Sequence, residues 1–83
     1  MQRKTLPERV FRIHRRGDGR YVSRNEFPND SPLGVDQTLS QALGTAKREA
    51  TLASRQGCRV IIEVQDSGGK LRQIDVVEPP RIR

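Results

Sequence analysis

Large apolar side chains are scarce in this chain: its 83 residues include two Phe, one Tyr and no Trp, and only 33% are hydrophobic. A core built from so little must be thin, near the lower limit at which a single domain supports itself. Chains this lean often complete their burial by dimerising. Long apolar runs are also missing. No stretch is suited to span a bilayer, and the opening Met1-Gln2-Arg3-Lys4-Thr5-Leu6-Pro7 is basic without the apolar segment of a secretory signal. The expectation is a soluble cytoplasmic protein of a reducing, bacterium-like setting, with no membrane partner. One cysteine, Cys58, excludes an internal disulfide and a Cys-rich metal site. One histidine, His14, and the lack of Gly-x-Ser-x-Gly or His-Glu-x-x-His leave no convergent set of titratable groups. The chain is therefore read as non-enzymatic, with no catalytic residue, metal, cofactor or evident small-molecule substrate. Its patterning is nonetheless too regular for a disordered segment.

Charge is what the chain has in excess. Residues 1–24 carry Arg3, Lys4, Arg9, Arg12, Arg15, Arg16, Arg20 and Arg24 against Glu8 and Asp18, a net of +6, which is the net charge of the whole protein. Arginine outnumbers lysine thirteen to three, and its planar fork suits phosphate. An anionic partner at the first quarter follows from that placement. A GC-rich genome, which favours arginine codons, accounts for the same skew without a site.

Periodicity gives the elements. Residues 1–8 read as a flexible arm. Residues 9–16 are strand-like, with Phe11 and Ile13 two apart. Gly17-Asp18-Gly19 marks a hairpin turn, and the return strand runs from about 20 to 27. A two-residue turn or a four-residue loop here sets Ile13 opposite Val22. Phe11, Ile13 and Val22 then share one face, and Val10, Arg12, His14, Tyr21 and Ser23 the other. Residues 25–37, rich in Pro, Asn, Asp, Ser and Gly, read as a connecting loop. Thr38-Leu39-Ser40-Gln41 has capping-box spacing, with Asp36 a rival cap. Leu39, Ala42, Leu43, Ala46, Ala50 and Ala53 then form one helical stripe, stopped at Gly57. Residues 58–65 are a strand with Cys58, Val60, Ile62 and Val64 on one side. Asp66-Ser67-Gly68-Gly69 turns the chain into a last strand over 70–77, with Ile74 and Val76 facing the helix, and Pro79-Pro80 ends it. Cys58 thus falls on the core face as a buried thiol. The fold class is α+β: a ββαββ domain over 9–78, a four-stranded antiparallel sheet with one helix packed on one face, and a tail at 79–83. The order of the strands stays open.

This succession resembles a family of small bacterial ββαββ proteins of unknown function. They carry a Gly-aromatic-x-Val return strand, an Ala-rich helix and a final strand after Asp-Gly. Over about residues 9–77 the chain follows that plan, departing at Gly19-Arg20-Tyr21-Val22, where the aromatic comes one place late, and at Gly68-Gly69, which replaces Asp-Gly. The family supplies no site residues to transfer. The basic strands ahead of a single helix are also similar to the arm-binding domains of phage integrases, although two strands follow the helix here.

Two partners are expected from these features. Double-stranded nucleic acid would meet the first hairpin through Arg12, Arg16, Arg20 and Arg24, with Tyr21 as a stacking ring and His14 as a polar contact. Against this, alternating arginines also make the ordinary solvated face of a half-buried sheet, and a lone surface histidine usually has no role. The glycines of both turns are hairpin chemistry, because neither turn leads into a helix N-terminus. The alternative partner is a second copy or another protein on the uncovered sheet face, through Val10, Ile61, Leu71 and Val77, with Tyr21 beside them.

Overall fold

The structure is a computed structural model and describes residues 7–80. It is α+β, with one helix laid across a five-stranded mixed sheet. The elements are β1 (Glu8–Arg15), β2 (Tyr21–Phe27), β3 (Ser31–Asp36), α1 (Leu39–Arg55), β4 (Arg59–Gln65) and β5 (Leu71–Val77). Their order across the sheet is β3-β2-β1-β4-β5. The flexible arm assigned to residues 1–8 lies mostly outside the described residues, and β1 already begins at Glu8.

The helix forms where its signals lie. Thr38 accepts from the Gln41 amide at 3.1 Å while the Gln41 side chain accepts from the Thr38 amide at 3.3 Å, a complete capping box. Gly57 follows the C-cap at φ +98°, a conformation that favours glycine. Ala42, Ala46, Ala50 and Ala53 are buried, with Leu39 and Leu43 packed beside them. Their small side chains let the helix lie close over Phe11, Ile13, Val60 and Ile62, and Cys58 joins that core.

Three expectations are corrected. The sheet has five strands, not four, because part of the presumed loop is β3, antiparallel to β2. Proline and glycine density hid it. Pro32 is tolerated because β3 is an edge strand. At Gly34 α1 passes close by: a Cβ there would lie 3.2 Å from Thr45 Cγ2, a tight contact that glycine avoids. The sheet is also not wholly antiparallel. The helix acts as a crossover that returns β4 parallel to β1 at the centre.

The register of the first hairpin is the third correction. Arg16 and Arg20 close a three-residue loop, with Arg16 N–H donating to Arg20 O at 2.7 Å and Gly19 at φ +87°. This turn with a glycine bulge sets Ile13 opposite Ser23 and His14 opposite Val22. The side chains from Tyr21 to Asn25 therefore face the other way from the expectation, whereas Phe27, beyond the bulge, keeps the uncovered face. Tyr21 and Ser23 lie on the helix side, Tyr21 packed against the core, and Val22 lies on the uncovered side with Arg12 and His14.

Candidate interaction faces

Beyond the ion-paired Glu8 and Arg59 at one end, the face of the sheet away from the helix carries three rows, each crossing from strand to strand. The first is Phe27, Val10, Ile61 and Val76. The middle row is Pro32, Arg24, Arg12, Glu63 and Gln73. The last is Val35, Val22, His14, Gln65 and Leu71. A charged row thus runs between two largely apolar ones. Phe27, Val35 and Leu71 are 54%, 49% and 42% exposed.

The middle row is neutralised from within. Arg12 and Arg24 are direct cross-strand partners, an arrangement that alone would repel. Arg12 reaches Glu63 at 3.3 Å through both Nε and Nη2, and Glu26 at 3.5 Å. Glu26 gains this position from the bulge between Val10 and Phe11, which leaves it as the extra residue of β2. Arg24 binds Asp30 through Nε at 2.9 Å and Nη2 at 2.6 Å. At the turn, Arg16 binds Asp18 at 2.6 Å. The hydrogen bond from Arg16, joined by one from the Arg20 amide, lowers the Asp18 carboxyl to about 2.

The residues expected to meet nucleic acid therefore do not form one surface. Arg12, His14 and Arg24 lie on the open face, Arg16 and Arg20 close the turn, and Tyr21 points to the helix side. Arg12, Arg16 and Arg24 are each held by a carboxylate. Of the sixteen basic residues, Arg3, Lys4, Arg81 and Arg83 fall outside the described residues, whereas all ten acidic residues fall inside. Twelve against ten leaves a net of only +2 on residues 7–80.

The expected protein-contact residues fare differently. Val10, Ile61 and Leu71 are on the open face. Val77 is not: it pairs with Val60 and packs against the core. The cause is a bulge between Ile62 and Glu63, where Ile74 is extra and the alternation of β5 reverses. Val76 accordingly moves to the open face, opposite Ile61, and not toward the helix.

A cleft was not anticipated. Both hairpin turns lie at one end of the sheet, since β1 and β4 run in parallel. There, beside the first turns of α1, a cavity of about 580 Å³ opens. Tyr21, Leu39, Leu43, Val64 and Ile74 line it with Arg15, Asp66 and Arg72. Arg15 pairs with Tyr21 and Arg72 with Val64, so both arginines belong to the helix side of the sheet. Only the parallel pairing brings these two hairpins together, and periodicity carries no trace of it.

Among the described residues no cluster of three or more His, Cys, Asp or Glu could hold a metal, and no helix is long and apolar enough to cross a membrane. Comparison of the chain with protein-family models, curated proteins and solved structures finds no match.

Proposed function

We propose that this protein is a non-enzymatic interaction module that docks through its open sheet face on a second copy of itself. The observation that carries this reading is the neutralised charge row between two apolar rows. An anionic polymer would find Arg12 and Arg24 already occupied. A neutral, partly apolar face instead suits an equally neutral one, and two copies meeting across a twofold axis satisfy that condition without further matching. Burying Val10, Phe27, Val35, Ile61, Leu71 and Val76 would also enlarge a thin core. Light scattering at tens of micromolar should return twice the chain mass, and Ile61→Lys, which places an unpaired charge in the apolar row, should return the monomer. A wild type that stays monomeric at millimolar concentration refutes the reading.

A second reading keeps duplex nucleic acid as the partner and rests on Arg15, Arg20, Lys70 and Arg72, near the two turns. None of these four side chains forms an ion pair among the described residues. If they meet phosphates, Arg15→Ala with Arg20→Ala should flatten the log–log salt dependence of DNA affinity by about two units, near 0.9 per contact. The paired Arg12 and Arg24 should matter less. Absence of duplex binding at about 50 mM salt would eliminate this reading.

A further inference from the structure

We propose that the cleft beside the hairpin turns binds a small organic anion: an apolar body bearing one carboxylate or phosphate group. Its volume of about 580 Å³ lies within the range of roughly 300–1,000 Å³ usual for small-ligand sites, which are mostly apolar with a few placed polar groups. The apolar part is the Tyr21 ring with Leu43, Val64 and Ile74. The charged part is Arg15 and Arg72, two cations lining one cavity with no salt-bridge partner among the described residues. Asp66 is the one carboxylate among the lining residues, so two arginines against it leave one positive charge in excess. Asp66 Oδ1 is committed to the amides of Gly68 and Lys70, each at 2.9 Å, and so shapes the turn. Asp36, which ends β3 beside Tyr21, accepts from the Thr45 hydroxyl at 2.9 Å. The site thus has positive charge to spare and apolar walls that an inorganic anion would leave unused. Arginine forks bind carboxylate and phosphate oxygens alike, so the body and the single charge define the ligand. The cleft opens on the helix side of the sheet, and His14 and Gln65 of the opposite face also belong to its lining.

The test is a set of two-dimensional NMR titrations of the full chain. Phenylbutyrate and adenosine monophosphate supply the two anion types, and phenylbutanol and adenosine repeat their bodies without charge. Saturable shifts at Tyr21, Leu43, Val64 and Ile74 are expected with at least one anion, and which one saturates tells carboxylate from phosphate. The matching neutral compound should bind at least about tenfold more weakly, the loss expected for a charge-assisted pair. Arg15→Gln with Arg72→Gln should weaken the anion by about tenfold or more. Lys47→Gln with Arg48→Gln removes equal charge from the exposed side of α1 and should leave affinity within about twofold. Arg72→Gln alone is read if the first double variant loses its dispersed spectrum. Failure of both anions to saturate, equal binding of the neutral compounds, or equal weakening by both double variants would overturn the proposal.

Discussion

Ser23→Ala should stabilise the protein, although it deletes a polar group from the middle of a strand. Ser23 is fully buried, opposite Ile13 on β1 and Gly34 on β3, and its Oγ has no hydrogen-bond partner among the described residues. The close passage of Thr45 over Gly34 leaves little room beside it. A buried hydroxyl without a partner costs about 1–3 kcal/mol. Removing one oxygen atom leaves a void that returns only a few tenths of a kcal/mol at about 24 cal/mol per Å³. The net expectation is a gain of about 1 kcal/mol, or roughly 5 °C in Tm for a domain of this size. Urea unfolding at fixed protein concentration, followed by circular dichroism, measures it as a higher midpoint at unchanged slope. Ser54→Ala is the control. Ser54 is also buried, but its Oγ donates to Thr51 O at 2.8 Å, so the change should stay within about 0.5 kcal/mol of zero. A loss of 1 kcal/mol or more in Ser23→Ala would show that the hydroxyl is satisfied and the reasoning wrong.

Two further outcomes follow from packing and charge. Ala46→Arg forces a cation into the close contact between helix and sheet and should unfold the domain, whereas Arg48→Ala on the exposed side should change stability by less than about 0.5 kcal/mol; equal sensitivity by thermal melting would contradict the helical phase. Asp18, lowered to about 2 from an ordinary 3.8, adds to stability above its ordinary value and ceases to do so as pH falls through about 2. An NMR titration of its carboxyl carbon should place the midpoint there, and Arg16→Gln should raise it part of the way, since the Arg20 amide still donates. A midpoint near 4 in the wild type would refute the pairing.

What could be read from the sequence was local. The capping box at Thr38, the alanine stripe and Gly57 specify the helix within a few neighbouring residues, and both turns announce themselves by glycine. β3 was hidden because Pro32 and Gly34 argue against a strand, until an edge position accommodates one and a helix passes close over the other. The first hairpin was misregistered because Gly17-Asp18-Gly19 serves turns of several lengths, and one residue of difference exchanges Tyr21 and Val22 between faces. Val77 was misplaced for a related reason: a bulge at Ile74 interrupts strict alternation, and the sequence contains no mark of it. Val10 and Ile61 could be placed because the bulges beside them put the extra residue on β2 and β5, leaving the alternation of β1 and β4 intact. The carboxylates that hold Arg12 come from β2 and β4: the bulge brings Glu26 to it, and strand order brings Glu63.

Self-association requires that the open face be covered in solution. A soluble paramagnetic probe, with methyl relaxation followed from micromolar to millimolar protein, tests this directly. The methyl groups of Val10, Val35, Ile61 and Val76 should become protected as concentration rises, while those of Leu52, half-exposed on the helix, stay accessible throughout. Equal and unchanging relaxation at both sets of methyls would contradict self-association through this face.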